Sequence, residues 1–261
     1  MYERIKVKKL TPYIYLLDDM QEASGYLVVG KDKALVVDTM NGCEDVNAVV
    51  REITDLPVMV VNTHGHPDHI FGNVYFDKAY INPADLPIAE HFINEPQFAA
   101  NFREHNLKMP EFAPINPGEE IDLGGVLLEV IGLPGHTPGG ICLFIRKDGI
   151  LFTGDSVLDH TWMHLEESLP MEAFLENLHK LKPVLAETKY LLTGHHRDFV
   201  DVSFCKAHRD AVAEVCAGKN ENDIDYEWFG GVCKAHPYMG GTKLIVYDEH
   251  ALGKRQGDQD T

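Results

Sequence analysis

The sequence predicts one α+β domain across residues 1–261, with two sheet-forming regions joined by helices. The chain has 261 residues, 44% of them hydrophobic and 25% charged, which is typical of a single large sandwich or barrel. The first forty residues alternate apolar and polar side chains as half-buried strands do. Strand and helix patterns then alternate, and a second group of strand patterns begins near residue 126.

The first half of the chain predicts an antiparallel meander that continues into a helix and a buried strand. Turn residues at 30–33 separate two of the strands, helical spacing begins at Glu44, and Pro57 precedes the apolar run VMVV. The predicted elements are strands at 5–7, 13–17, 26–29 and 34–37, a helix from 44, and a strand at 58–61.

Residues 83–117 predict an inserted helical lid, because six prolines interrupt short stretches that are too apolar for a solvated linker. Residues 200–250 predict a carboxy-terminal extension of one helix and one strand, in which the stretch with Cys233, His236 and Tyr238 is interpreted as a loop. The elements predicted after the lid are strands at 126–131, 141–145, 150–152, 190–192 and 244–247, a helix opened by Pro170 and a helix at 202–216.

The chain carries 23 basic and 41 acidic residues, for a net charge of −18, together with 14 histidines. Such a charge repels phosphate backbones and argues against a nucleic-acid partner. No apolar run approaches the ~20 residues that a membrane helix needs, and MYERIKVKKL lacks the apolar core of a signal peptide. Five cysteines without a CxxC pair favour a reducing compartment. We therefore expect a cytoplasmic protein with no membrane and no nucleic-acid partner.

The segment 63–69, THGHPDH, directly follows a buried strand and has the spacing of metal ligands. Residues two apart in an extended segment point the same way, so His64 and His66 can bind one ion at ~2.0–2.1 Å. Asp68 and His69 come next, at the start of a helix, where the helix dipole favours a carboxylate. The segment therefore predicts two pairs of ligands side by side.

Three further candidates each stand at a strand end beside a glycine: His136 in LPGHTPG, Asp155 in LFTGD and His195 in LLTGHH. Loops at strand ends can converge on one edge of a sheet. Any one of these residues alone is more simply interpreted as a cap or as a polar residue satisfied in the core. In this order after HxHxDH, they predict a metal centre.

This set of motifs resembles that of the metallo-β-lactamase-fold hydrolases, over about residues 10–200 and including an early strand-end aspartate, Asp38. The resemblance implies an αββα four-layer sandwich, in which two mixed β-sheets lie face to face with helices outside, and a centre of two metal ions at one edge. By motif position, His64, His66 and His136 would bind the first ion. Asp68, His69 and His195 would bind the second ion, and Asp155 would bridge the two.

Two of these positions have alternatives. His195 directly follows the glycine, as the ligand of the family does, and the next residue of an extended segment points the opposite way. His196 is therefore the weaker candidate for a ligand and a better one for a residue that supports a ligand or lines the pocket. Asp38 either orients the histidine loop through hydrogen bonds or caps the turn after its strand.

The donor set of five imidazoles and two carboxylates, with no thiolate, suits zinc best, and iron or manganese also fit it. Two divalent ions about 3.5–4 Å apart would hold a hydroxide with a pKa near ~7 and polarise the oxygen under attack. Asp68 is in addition a candidate catalytic residue, because its carboxylate can steer that hydroxide and pass a proton to the leaving group.

Departures from known branches of the family narrow the substrate. A true β-lactamase would carry cysteine or serine in place of Asp155 and would be exported. The diiron oxygen reductases have an acidic residue at the position of His66 and add a flavin domain, and RNA-processing members need basic clamps that fit badly with a charge of −18. The chain is more similar to the glyoxalase II-like thioester hydrolases, but the match is incomplete. The basic residues available to hold glutathione are explained equally well as a solvated surface; they are Lys206, Arg209, Lys234 and Lys243.

The loop after Asp155 is expected to form one wall of a substrate pocket with His160, Trp162 and His164, and a packed loop with exposed histidines is the alternative. The lid can form the opposite wall, although its aromatic stripe also suits a core or a contact between the subunits of a homodimer. The lid residues concerned are Phe92, Phe98, Phe102, Met109 and Phe112.

We therefore predict a metal-dependent hydrolase that cleaves an ester-like bond of a small molecule, whether a thioester, a lactone or a phosphodiester. One alternative is a mononuclear non-haem iron dioxygenase of persulfides, which shares the fold and uses two histidines and one carboxylate. Another is a non-catalytic metal-binding module.

Overall fold

The computed structural model describes residues 3–228, 231–249 and 252, and within them the strands form a seven-stranded, a six-stranded and a four-stranded sheet. In the first sheet, β1 to β4 pair antiparallel in chain order, and β4 to β7 pair parallel. Its strands are β1 (Ile5–Lys9), β2 (Ile14–Asp19), β3 (Ala23–Val29), β4 (Ala34–Val37), β5 (Val58–Val61), β6 (Ala79–Ile81) and β7 (Phe112–Pro114).

The second and third sheets are also mixed. The second comprises β8 (Glu120–Asp122), β9 (Leu127–Gly132), β10 (Ile141–Ile145), β11 (Ile150–Gly154), β13 (Tyr190–Thr193) and β14 (Val200–Asp201), in the order β14-β13-β11-β10-β9-β8. The third comprises β12 (His160–Met163), β15 (Ile224–Trp228), β16 (Gly231–Tyr238) and β17 (Lys243–Tyr247), in the order β12-β17-β16-β15. Only one pair in each of these sheets is parallel within the described residues, β11 with β13 and β12 with β17.

The helices begin where the sequence provides start signals. Asp45 accepts a hydrogen bond from Ala48 N at the start of α1, and a proline lies in the first turn of α2, α3, α4 and α6. The helices are α1 (Val46–Arg51), α2 (Pro67–Ile70), α3 (Leu86–Asn94), α4 (Pro96–Glu104), α5 (Met171–Lys180), α6 (Lys182–Leu185) and α7 (Ser203–Cys216), with 3₁₀ turns at Phe71–Tyr75 and Pro83–Asp85. None of the helices described has the length and apolar character needed to cross a membrane.

The core has three layers of apolar contact, and the alternation of side chains along the strands creates them. Leu35 and Val37 of β4 face the second sheet, while Ala34 and Val36 face α1 on the outside. In the second sheet, Leu143 of β10 likewise packs against the first sheet. Its neighbours Cys142 and Phe144 pack against α5 and α7. The layers are therefore helix, sheet, sheet and helix, which confirms the αββα fold class.

The sequence prediction for the carboxy-terminal extension is wrong in one part. The stretch with His236 and Tyr238, interpreted as a loop, belongs to strand β16, and residues 231–238 pair antiparallel with residues 224–228 of strand β15. The sequence pattern of a strand is weak here because β15 is an edge strand of the third sheet. Ile224 is 51% exposed, so apolar and polar side chains hardly alternate along it. The segment 160–163, expected to be part of a loop, is strand β12 of the same sheet.

The predicted lid at 83–117 contains helices α3 and α4 and ends with β7, which joins the edge of the first sheet. Phe98 and Phe102 of α4 pack edge-on against Phe71, with ring centroids 4.7 and 5.4 Å apart. Met109 and Phe112 join the same apolar cluster. All five aromatic and methionine side chains of the predicted stripe thus pack in a local core, and Phe92 in addition reaches the cavity described below.

Candidate metal centre

Every predicted metal ligand follows the carboxyl end of a strand, and those ends lie at one edge of the two large sheets. β4 and β5 run parallel, so Asp38 and the 63–69 segment emerge side by side. β9 and β11 are both antiparallel to β10, and β11 is parallel to β13. The loops that carry His136, Asp155 and His195 therefore leave the second sheet in the same direction.

The first group of ligand atoms belongs to His64, His66 and His136, whose nearest ring nitrogens lie within 4.8 Å of one another. His136 Nε2 is 2.9 Å from His66 Nδ1, and His64 Nε2 is buried without a hydrogen-bond partner among the described residues. Burial and the neighbouring imidazoles lower the pKa of His64 well below its usual value and that of His136 to about 4. The histidines His64 and His136 are therefore neutral at pH 7, the form in which imidazole binds a metal.

The outward-facing nitrogen of each histidine in this group has a partner that fixes the ring. Thr63 Oγ1 lies 3.0 Å from His64 Nδ1, and the carbonyl oxygen of Trp162 accepts from His136 Nδ1 at 2.6 Å. Glu167 Oε1 accepts from His66 Nε2 at 2.7 Å. Each ring thus turns its other nitrogen toward a common point; hydrogen-bond partners of this kind orient histidine ligands in metal sites.

The second group combines Asp68, His69, Asp155 and His195, again with ligand atoms within 4.8 Å of one another. Asp155 Oδ1 is 3.4 Å from His69 Nε2, and Asp155 Oδ2 is 3.1 Å from His195 Nε2. Asp68 Oδ2 lies 3.6 and 3.4 Å from the same two ring nitrogens. His69 Nε2 and Asp155 Oδ1 are buried and lack hydrogen-bond partners in the described chain, so an ion between them would satisfy both.

Electrostatics in the second group are opposite to those in the first. Burial would lower the pKa of His195, but the carboxylates of Asp155 and Asp68 outweigh it and raise that pKa to about 9. The same carboxylates hold the pKa of His69 well above its usual value, against the effect of burial. His195 and His69 in turn keep the pKa of Asp155 low, although burial opposes this. The metal-free group therefore holds protons where a cation would bind.

Asp38 both orients His69, a candidate ligand, and holds the histidine loop. Its carboxylate accepts hydrogen bonds from Thr63 N and Thr63 Oγ1, each at 2.7 Å, and from His69 Nδ1 at 2.8 Å. The residue adopts a φ of +58° at the end of β4. The last bond leaves His69 Nε2 as the nitrogen that faces Asp155.

The two adjacent histidines after Gly194 point in different directions. His195 enters the second group, and its Nδ1 donates to the carbonyl oxygen of Glu22 at 2.6 Å. His196 lies 2.8 Å from Thr193 Oγ1 and 3.1 Å from Asp159 Oδ1, outside both groups. The geometry thus favours His195 as the ligand and gives His196 contacts at the side of the cavity.

Two carboxylates that support the ligands were not identified from the sequence. Glu167 holds His66, as described above. Asp85 is fully buried and accepts hydrogen bonds from Gly65 N at 3.0 Å and Thr137 Oγ1 at 2.7 Å, which ties the 63–69 segment to the loop of His136. Burial raises the pKa of Asp85, although these hydrogen bonds oppose the rise.

Both groups fit divalent metal ions, because their donors are nitrogen and oxygen atoms that converge while several lack any other partner. The rings of His64 and His69 are 4.0 Å apart, so the two groups adjoin. The first group would hold an ion through three imidazoles, and the second through two imidazoles and two carboxylates.

A cavity of about 730 Å³ opens over both groups. His66, Asp68, His136, Asp155 and His195 form its floor. The predicted pocket residues His160 and Trp162 line one wall, whereas His164 does not and packs 4.4 Å from the ring of Trp228. The remaining wall residues are Pro67, Phe92, Leu158, Asp159, Leu165, Glu166, Glu167, Tyr226 and Trp228.

Comparisons with known proteins agree with this arrangement. A family model described as the metallo-beta-lactamase superfamily matches residues 21–195. Acyl-coenzyme A thioesterase MBLAC2 of Gallus gallus is 28% identical over 162 residues, which are 52% of this chain and 58% of that protein, so less than two thirds of that relative is covered. A hydroxyacylglutathione hydrolase of Pelagibacter ubique is 23% identical over 201 residues, 75% of each chain.

Among solved structures, a metallo-beta-lactamase family protein from Thermus thermophilus superposes with a TM-score of 0.60 at 21% identity. The superposition covers 82% of this chain and 84% of that one. At 21% identity, this superposition shows similarity of the fold alone.

Proposed function

The chain belongs to the metallo-beta-lactamase superfamily, and from that membership and the geometry of its site we propose that it is a dinuclear metal-dependent hydrolase of an ester-like bond in a small molecule. The observation that carries the proposal is the pair of adjoining donor groups, which together open into a single cavity. A mononuclear dioxygenase with two histidines and one carboxylate would draw on the second group alone and would leave the three imidazoles of the first group without a role.

When bound, two divalent ions, zinc in the first instance, would supply a water-derived nucleophile at neutral pH and polarise the oxygen of the bond under attack. The protein contributes position and protons. Asp155 presents one carboxylate oxygen to His69 and the other to His195, both in the second group. Its negative charge also acts on His64 and His136 of the first group, and this nearness to both groups supports the proposed bridging role.

Asp68 is suited to move a proton. Its side chain is 32% exposed and lines the cavity, whereas Asp155 is 11% exposed. Asp68 Oδ2 therefore lies where it can accept a proton from the attacking water and return it to the leaving group.

Among candidate bonds, we place the thioester first, because an acyl-coenzyme A thioesterase and a hydroxyacylglutathione hydrolase are both relatives with thioester substrates in their names. Lactones and phosphodiesters are the other candidate substrates, since the same donor groups suit the oxyanion that forms in each case.

Metal content and activity measured on matched variants test the proposal. We expect about two equivalents of zinc per chain at pH 8.5 and hydrolysis of at least one class in a panel of thioesters, lactones and phosphodiesters. His195→Ala should lose about one equivalent and most activity, while His196→Ala, a neighbouring histidine outside both groups, should retain both equivalents. His136→Ala controls for contaminating hydrolases.

Two results would overturn the proposal. One equivalent of iron with oxygen uptake on a persulfide would favour the dioxygenase. Two equivalents of metal with no turnover of any panel member, and no difference between wild type and His136→Ala, would favour a metal-binding module.

A further inference from the structure

The cavity over the metal centre is rich in carboxylates and poor in fixed cations. Five acidic residues line it, and no Lys or Arg side chain does so among residues 3–228, 231–249 and 252. The acidic residues are Asp68, Asp155, Asp159, Glu166 and Glu167. Carriers such as glutathione or coenzyme A are anionic, and protein sites hold anionic groups through Lys and Arg.

Most of this negative charge has a local counterpart, but one carboxylate does not. Asp159 pairs with Lys243 and lies near His196, and Glu167 accepts from His66. With two divalent ions bound, the charges of the ions and of the four carboxylates other than Asp159 sum to zero, so the cavity has no net positive charge to attract an anion. Glu166 is exposed at the cavity and has no ion pair or hydrogen bond with any described residue.

One wall of the cavity is aromatic. Trp162 of β12 and Trp228 of β15 have ring centroids 6.1 Å apart, and Tyr226 lines the same side. The third sheet holds them together, because β12 is joined to β15 through β17 and β16. Aromatic faces of this kind bind apolar groups and, through their negative quadrupole, cations.

Resting on the proposed function, we propose that this cavity selects substrates whose part remote from the scissile bond is apolar and carries no negative charge. The aromatic wall would receive that part, and Glu166 at the rim would penalise an anionic substituent and favour a cationic one. Strand β15 of the carboxy-terminal extension then determines specificity, since it supplies Tyr226 and Trp228.

The chain provides its own reporter for the test. It has two tryptophans, and both line the cavity, so intrinsic fluorescence responds to occupancy without any need for turnover. Three matched probes differ mainly in charge: benzyltrimethylammonium, benzyl methyl sulfone and phenylmethanesulfonate. With the zinc-loaded protein we expect Kd to increase in that order, by about threefold or more at each step.

Two charge-neutralising variants locate the effect. Glu166→Gln should narrow the ratio of anion to cation Kd about two- to fivefold, the range expected for one exposed charge pair. Glu227→Gln is the matched control, because Glu227 lies between Tyr226 and Trp228 on β15 but is exposed and does not line the cavity. It should leave the ratio unchanged. Tyr226→Ala keeps both reporters and should weaken the cation and the sulfone about fivefold or more.

Phenylmethanesulfonate that binds as tightly as benzyl methyl sulfone would overturn the inference, and so would equal effects of Glu166→Gln and Glu227→Gln. These binding results are independent of the proposed hydrolysis. If the panel shows no turnover while the charge order holds, the proposed function fails and the selectivity of the cavity stands.

Discussion

Replacing Asp38 by asparagine should separate the electrostatic role of this carboxylate from its place in the backbone. Asp38 is 2% exposed and has a φ of +58°, a conformation that asparagine tolerates better than most residues. The amide oxygen can still accept from Thr63 N. The amide nitrogen, however, would face His69 Nδ1, which must then accept a hydrogen bond and place its proton on Nε2, the atom that should bind metal.

The size of the effect follows from the bonds that change. Loss of a partner that orients a ligand typically lowers metal affinity 10- to 100-fold, or about 1.4 to 2.8 kcal/mol. In the metal-free protein, loss of one buried charge-assisted hydrogen bond should lower the free energy of unfolding by about 1.5–3 kcal/mol. Asp38→Ala should cost about 1–2 kcal/mol more, since alanine has no side chain to support a left-handed backbone.

Competition with a chromophoric zinc chelator at pH 8.5 measures the affinity, and urea unfolding of the metal-free protein measures stability. Asp55→Asn, the same change at an exposed aspartate without described partners, serves as the control. If Asp38→Asn bound the second equivalent of zinc as tightly as the wild type, the orienting role derived for Asp38 would be incorrect.

Four further predictions concern protons, space and packing. Zinc binding should release up to two protons per chain between pH 6.5 and 9, because the carboxylates of the second group raise the pKa of His195 to about 9 and also raise that of His69. Calorimetry in buffers of different ionisation enthalpy measures this release, and no release would show that the two histidines carry no such protons. For the same reason, the metal-free protein should lose stability as the pH rises from 6.5 through 9, since a histidine with a raised pKa stabilises the fold only while its proton is bound. Urea unfolding midpoints that do not change over this pH range would contradict the prediction. Gly194→Ala should remove about one equivalent of metal from a protein with unchanged circular dichroism, because a Cβ there would clash with Asp155 Oδ1 and lie 2.7 Å from His69 Cε1. Phe174→Ala should lower the free energy of unfolding by about 3–5 kcal/mol in urea, as a fully buried aromatic ring is lost; a cost below about 1 kcal/mol would mean that the second sheet does not depend on it.

The convergence of the candidate metal ligands at one edge could be predicted because their signals are local. HxHxDH places four donors within six residues, and the other three follow strands whose apolar runs are unmistakable, such as Leu191 and Leu192 before His195. Each of these residues follows the end of its own strand, so the order of the strands along the chain is enough to bring the donors to one edge. His195 was preferred to His196 because it directly follows the glycine and because successive side chains of an extended segment point in opposite directions.

The residues that were missed are held by contacts that are distant in sequence. Glu167 meets His66 across 101 positions, and Asp85 meets Thr137 across 52. No local pattern marks either carboxylate, since each lies in or next to a turn where acidic residues are common. Only half of the aromatic wall could be predicted. Trp162 lies in the segment that follows Asp155 along the chain, seven positions later. Trp228 reaches the cavity through the pairing of β15, β16 and β17, which the sequence of an exposed edge strand does not reveal.

The opposite proton demands of the two donor groups imply an order of metal loss on acidification. In the first group, burial holds the pKa of His136 near 4 and that of His64 low, so protons compete weakly with a metal there. In the second group, the carboxylates that would bind the metal also favour protons on His195 and His69, so protons compete strongly up to about pH 9. The second group should therefore lose its ion first as the pH falls. A single equivalent of metal found near pH 6 would then report this competition, and the number of sites has to be read at the alkaline end, where the donors of both groups are free of protons.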